Sequence, residues 1–274
     1  NNAEATSSGL TAFGTDGFTM GEYYNQSGRD YVAWCWRANG GTTSTNTSGT
    51  ITTTVQANTA AGFSILTYTG TGSNATIGHG LSAKPDFILF KRRSGTGENW
   101  NVYHTGLGAT KYLLLNTNNT ASTSSTRFQD TEPTSSIITL GNESAVNTST
   151  GTHVAYVWHN VDGFQKFGSY KGNGDEDGPF IYTGFRPKLL VIKGVSATNN
   201  YMVFDTARST SNVIDNNIHW DTDGGEVTED YRDLDFLSNG FKLQSSNGAL
   251  NHPADDDYVY MAWGDVPFKY NNIF

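Results

Sequence analysis

The side chains able to do chemistry are few and unevenly placed along the chain. Acidic residues crowd three stretches: Asp175-Glu176-Asp177 inside Gly172–Gly178, Asp255-Asp256-Asp257, and the run holding Asp221, Asp223, Glu226, Glu229 and Asp230. Calcium takes several oxygen ligands from a flexible loop. Asp175, Glu176, Asp177, Asp255, Asp256 and Asp257 are therefore candidate Ca2+ ligands, and Ca2+ is the one candidate cofactor. None of the three stretches has EF-hand spacing, and a solvated charged loop accounts for each equally simply. Glycoside hydrolysis needs two carboxyl groups held roughly 5–9 Å apart, and the spacing singles out no such pair.

Cys35 is the only thiol, so no disulfide can form within the chain. It lies in the strand-like run Tyr31–Trp36 and reads as a small core residue, where a thiol behaves as an apolar group. The six histidines are scattered, and His79, His104 and His153 fall in unrelated surroundings. There is neither a His-Glu-x-x-His metal pattern nor a Gly-x-Ser-x-Gly elbow. The expectation is a protein that is not an enzyme. Sugar rings stack on exposed aromatics, which makes Trp220 with its neighbour Asp221, and Tyr23 with Tyr24 in a hairpin loop, the candidate glycan- or receptor-binding residues. Packing is the competing role for Trp220, and Trp100, at a strand, reads as core.

The rest of the sequence must position these groups. Charged residues are only 16% of 274, below the roughly 25% of an average soluble protein, while glycine, at 31, is above average. Aromatic residues make up 13% and sit in short apolar runs, the composition of many short strands joined by turns. The net charge of −9 argues against a nucleic-acid partner, which would need a basic patch, and Lys91-Arg92-Arg93 is too short to be one. No apolar run approaches the ~20 residues of a membrane-spanning helix, so no membrane insertion is expected. The chain opens on Asn1 rather than Met, and a cut or processed chain is expected.

Landmarks recur about 101 residues apart. Tyr68-Thr69-Gly70-Thr71-Gly72 matches Tyr170-Lys171-Gly172-Asn173-Gly174, and Gly62-Phe63 matches Gly163-Phe164. Pro85 with Phe87–Lys91 matches Pro187 with Leu189–Lys193, and Trp100–Thr105 matches Tyr201–Thr206. A closing strand occurs three times, as Tyr31–Trp36, His153–Trp158 and Tyr258–Trp263. Side chains alternate between faces along a strand. Val32, Trp34 and Trp36 therefore share one face, as do Val154, Tyr156 and Trp158, and Val259, Met261 and Trp263. The opposite faces are also largely apolar, which predicts strands covered on both sides. Ahead of each lies a second strand, at Gly17–Met20, Ile137–Leu140 and Gly240–Leu243, expected to form a hairpin with it.

The chain thus divides into an incomplete repeat with a terminal β-hairpin (1–37), a Thr/Ser/Gly-rich connector (38–61) in which Ile51–Val55 could form an edge strand, two full repeats (62–161 and 163–268) and a tail (269–274). The predicted fold is all-β: antiparallel β-sandwich repeats, two full copies plus the last hairpin of a third, packed as pseudo-symmetric neighbours. No amphipathic helix is predicted, only a helical turn near Thr206–Ser211.

The segments 62–72, Ile77–Leu81, Pro85–Lys91, Asp233–Leu243 and the closing Tyr258–Trp263 together resemble an uncharacterised repeat domain of marine tailed-phage virion proteins, many of them tail-fibre-like. The resemblance runs over about residues 10–268. It implies a non-enzymatic virion structural protein, made in the host cytoplasm and carried on the extracellular particle as a tail-fibre-like appendage. Its implied partners are other virion proteins, copies of itself in a homo-oligomer, and a host cell-surface glycan or receptor. The alternatives are a capsid or tail decoration protein with a purely structural role and, third, a polysaccharide-degrading enzyme.

Overall fold

A computed structural model describes residues 9–228, 231–252 and 256–265. The chain is almost entirely antiparallel β. The first strands are β1 (Leu10–Phe13) and β2 (Phe18–Met20), which pair only with each other. Next come β3 (Ser44–Asn46), β4 (Thr53–Asn58), β5 (Phe63–Thr69), β6 (Ala75–Gly78), β7 (Phe87–Arg92), β8 (Asn101–His104), β9 (Lys111–Leu114), β10 (Ser122–Thr123), β11 (Ile137–Leu140) and β12 (Thr152–Trp158). The second half holds β13 (Gln165–Lys171), β14 (Phe180–Tyr182), β15 (Leu189–Gly194), β16 (Met202–Asp205), β17 (Asn216–His219), β18 (Val227–Thr228), β19 (Leu234–Leu237), β20 (Gly240–Leu243) and β21 (Asp257–Trp263). Two four-residue helices, α1 (Ser125–Phe128) and α2 (Ser144–Asn147), lie in connections where no helix was expected, and Thr206–Arg208 form a hydrogen-bonded turn.

The halves share one strand order. The eight-stranded sheet runs β10-β9-β8-β7-β12-β5-β4-β3 and the six-stranded sheet runs β13-β21-β15-β16-β17-β18. In each, the closing strand lies between two others. Trp158 pairs with Phe63 and Phe87, and Trp263 with Gln165 and Leu189. The same registers place Phe90 opposite Ala155 and Ile192 opposite Tyr260, and Val102 opposite Leu89 and Val203 opposite Val191. One landmark shifts: Phe63 corresponds to Gln165, because Gly163-Phe164 sits in the turn that Val161 and Gln165 close before β13.

Alternation along the strands sorts the side chains into three cores. Phe87, Leu89 and Val102 point with Leu189, Val191 and Val203 into a core between the two large sheets. Ile88, Phe90 and Tyr103 point the other way, onto the small sheet β6-β11. Leu190, Ile192 and Phe204 likewise meet the small sheet β14-β20-β19. The layers are small sheet, large sheet, large sheet, small sheet, so β12 and β21 are covered on both faces, as their apolar composition requires.

Several expectations need correction. The strands preceding the closing strands do not form hairpins with them. β11 pairs with β6, and β20 with β14 and β19, so each lies across the sandwich from β12 or β21. The intervening loop carries the chain between sheets, and a buried asparagine holds it. Asn147 Nδ2 donates to the Ser73 and Gly141 carbonyls at 2.6 and 2.9 Å, and its Oδ1 accepts the Thr71 N–H at 2.8 Å. Asn251 Nδ2 donates to the Asp175 and Ser245 carbonyls at 2.8 and 2.9 Å, and its Oδ1 accepts the Asn173 N–H at 2.7 Å. The neighbouring tyrosines repeat as well: Tyr68 Oη donates to the Val146 carbonyl and Tyr170 Oη to that of Leu250, at 2.6 and 2.8 Å. Gly70 and Gly172 leave no room for a side chain, since a Cβ would lie 2.3 Å from the Thr148 carbonyl oxygen or 2.5 Å from that of His252.

The connector is not a passive tether, because β3 and β4 extend the first large sheet and Ile51 bridges Ile77. Residues 31–36 belong to no sheet, and the N-terminal hairpin is β1 with β2. Cys35 is exposed rather than core, because no strand flanks it to cover that face.

Trp158 and Trp263 are each 4% exposed and pack edge-to-face at 6.2 Å. Truncating either to Ala should cost roughly 3–5 kcal/mol in urea unfolding. Trp36→Ala, at a half-buried site, should cost less. Equal costs at all three sites would contradict this ranking.

Candidate functional site

The two sandwiches meet along a seam, and His104 crosses it. His104, at the end of β8, is fully buried. Its Nδ1 accepts the Gly106 N–H at 3.0 Å, which leaves Nε2 to donate to the Tyr260 carbonyl of the second half at 3.1 Å. Burial pushes its pKa down to about 4, so it is a neutral bolt across the seam. The connection after β9 crosses too: Ala121 N–H donates to the Val195 carbonyl at 3.0 Å and Asn199 N–H to that of Asn118 at 3.1 Å.

Beside this bolt lies an open cleft of about 360 Å3. Gly106, Lys111 and Thr120 line it from the first half, and Ser169, Ser196 and Asp257 from the second. Gly106 sits where the halves touch: a Cβ there would come within 3.0 Å of Ser169 Cβ and 3.2 Å of Val259 Cγ1, so a side chain would press on the second half. Ser196 Oγ accepts the Asp257 N–H at 3.2 Å, and Lys171 pairs with Asp257 at 3.0 Å on the rim. Leu107, Ala121, Val195, Tyr258 and Val259 complete its lining.

Trp220 and Asp221 lie at the seam but serve packing. Trp220 is half-buried and meets Trp34 edge-to-face at 6.3 Å, so it is not a free stacking platform. Asp221 Oδ1 accepts the Tyr201 N–H at 3.0 Å. Its charge also acts on Lys193, which is fully buried, donates to the Asn118 and Asn199 carbonyls at 3.1 and 2.5 Å, and sits over the Tyr201 ring at 5.5 Å. Burial holds the Lys193 pKa down to about 8 against the pull of Asp221. The corresponding Lys91 donates to the Glu98 carbonyl and sits over Trp100 at 5.8 Å. This lysine-on-aromatic pair went unassigned in the sequence, although both lysines end matching apolar strands. Tyr23 and Tyr24 are exposed in a single 3-10 turn, edge-to-face at 5.0 Å.

The acidic candidates do not converge. Asp177 pairs with Lys242 at 2.6 Å, which holds its carboxyl below the usual range. Asp175 Oδ1 accepts the Asp177 N–H at 2.9 Å, and Glu176 is exposed. Asp256 pairs with His252 at 3.4 Å and Asp257 with Lys171, while Asp255 lies outside the described residues. Among the described residues, no three His, Cys, Asp or Glu side chains form a group that could hold a metal. Glu132 accepts from Tyr103 Oη at 2.5 Å and the Ala109 N–H at 2.7 Å and pairs with Lys84 at 2.7 Å. Those contacts anchor a loop onto β8.

A family model described as a domain of unknown function (DUF7483) matches residues 1–267, and the chain belongs to that family. No curated protein and no solved structure matches the chain.

His79, His104 and His153 all have pKa values lowered to about 4, chiefly by burial. The unfolded chain therefore binds more protons than the folded one between about pH 6.5 and 4, and stability should fall as pH drops through that window, by up to about 1.4 kcal/mol per pH unit for a fully buried histidine. His104→Gln should flatten the slope of melting temperature against pH over that window. An unchanged slope would remove His104 from the acid response.

Proposed function

We propose that this DUF7483 member is a non-enzymatic virion structural protein, tail-fibre-like, that binds a host-surface glycan in the cleft between its two sandwiches. The observation that carries the reading is the cleft itself. Ser and Thr hydroxyls, one Lys and one Asp line it from both halves, beside Leu107, Ala121, Val195, Tyr258 and Val259. A pyranose presents hydroxyls to such groups without needing a reactive centre. The virion setting rests on the resemblance of residues 10–268 to a repeat domain of tailed-phage virion proteins. His104, beside the cleft, is buried and hydrogen-bonded, and Asp257 is paired with Lys171, an arrangement that favours binding over turnover.

A second reading, a decoration protein with a purely structural role, is favoured by one observation. Leu10, Phe13, Phe18, Met20, Tyr23, Tyr24 and Tyr31 all leave their side chains exposed in one N-terminal stretch, Phe13 by 82%. Exposed apolar side chains gathered in this way mark contact surfaces.

Glycan-array screening followed by saturation-transfer NMR separates the two. Binding of a neutral oligosaccharide that falls at least about tenfold in Ser169→Trp, which fills the cleft, with melting temperature kept, is the expected result. Binding that survives the filled cleft, or no binding across the array, would leave the structural role as the better reading.

A further inference from the structure

Residues 9–37 hold two strands of a β-sandwich without the strands that should surround them. Tyr31–Trp36 repeats the sequence of β12 and β21, each flanked on both sides by strands of its own half. Here the same sequence keeps the strand's alternation: Val32, Trp34 and Trp36 are half-buried, and Tyr31, Ala33 and Cys35 exposed. Yet it belongs to no sheet. Its inward face is already seated. Trp36 lies edge-to-face on Trp158 at 5.9 Å and on Trp263 at 5.2 Å, so the last tryptophans of all three copies meet.

The outward face tells the opposite story. Cys35 is exposed, while its counterparts Val157 and Ala262 are fully buried in the cores of their own sandwiches. Phe18 and Met20 are exposed, while Phe241 and Leu243, at the same places of Gly240–Leu243, are fully buried. A second copy of the chain has no spare strands to offer, since its β5 and β7 already flank β12, and its β13 and β15 already flank β21.

We propose that residues 9–37 are a docking surface for a polypeptide carrying the first half of a repeat of this same kind, whose strands corresponding to β5 and β7 flank Tyr31–Trp36 and whose apolar face covers β1 and β2. The surface is continuous with the core between the large sheets, where Trp34 and Trp36 already pack. The occupant completes a third sandwich around a tryptophan cluster that is already in place. This inference does not depend on the cleft binding a glycan.

Cys35, the only thiol, reports on it directly. In the unmodified chain Cys35 should react with a thiol reagent as a free surface thiol, and the amides of Val32–Trp36 should exchange fast, because no ladder holds them. Two fusions then place residues 62–123 or residues 163–228 as an extra segment ahead of the full chain. Either should slow Cys35 labelling and the exchange of those amides about tenfold or more. Two donors guard against one that misfolds. Folded fusions that leave Cys35 fully reactive would overturn the proposal. So would slow exchange at Val32–Trp36 in the unmodified monomer. A protected Cys35 in an unmodified chain whose native mass is that of a dimer would assign the surface to a second copy instead.

Discussion

A strand that is apolar on both faces needs a core on each side and a neighbour along each edge, and the architecture follows from meeting that demand at β12 and β21. Neither face can be left in water at roughly 25 cal/mol per Å2 of apolar surface, and neither edge can leave its N–H and C=O groups unpaired in a buried setting. One face is satisfied within each half, by a small sheet. The other can be satisfied only by the opposite half, which is why the large sheets pack on each other and why the tryptophans concentrate at the seam. The third copy of the strand has one face seated and neither edge paired, and it is left as an extended segment.

Covering the inner face requires the chain to cross from small sheet to large sheet immediately before each closing strand. Backbone in such a crossing is buried and cannot rely on ladder partners. Asn147 and Asn251 supply both donors and acceptors at one point, the inventory of a carboxamide used to the full. The stacked pairs Tyr68 with His153 and Tyr170 with Tyr258, at 5.1 and 5.0 Å, close the space beside them. The acidic loop 172–178 is shaped by the same device, since Asn251 binds the Asp175 carbonyl. Its carboxylates thus decorate a structural turn.

Much of the fold was legible because β periodicity and repetition are local properties. The closing strands, their two apolar faces and the equivalence of Phe90 with Ile192 and of Val102 with Val203 follow from alternation and from matched landmarks. Pairing partners were not legible: alternation says which way a side chain points and nothing of which strand lies alongside, so β11 and β20 were placed beside the wrong neighbours. Cys35 was misread for a related reason, because burial is conferred by flanking strands that the incomplete copy lacks. The asparagine latch did leave a trace, in Ala145-Val146-Asn147 and Ala249-Leu250-Asn251, whose asparagines stand 11 and 12 residues ahead of Trp158 and Trp263. The cleft left none. It is assembled from Gly, Ser and Thr residues far apart in the chain, in a sequence rich in all three, and only the contact between halves distinguishes them. Trp220 looked like a surface aromatic because its partner, Trp34, is almost two hundred residues away.

The interior place of the closing strand also sets the order of events in folding. β5 and β7 never touch as neighbours, because β12 inserts between them, and β13 and β15 wait in the same way for β21. During synthesis each large sheet therefore stays in two separate pieces until the last residues of its half have emerged. The pairings that finally join them link positions as distant as Phe63 and Trp158. Such long-range closure is slow compared with helix or hairpin formation, and until it happens the edges of β5 and β7 are unpaired and apolar. A nascent chain of this topology passes through a window in which it is prone to pair with its neighbours, and the window shuts only when the final strand slides into the gap.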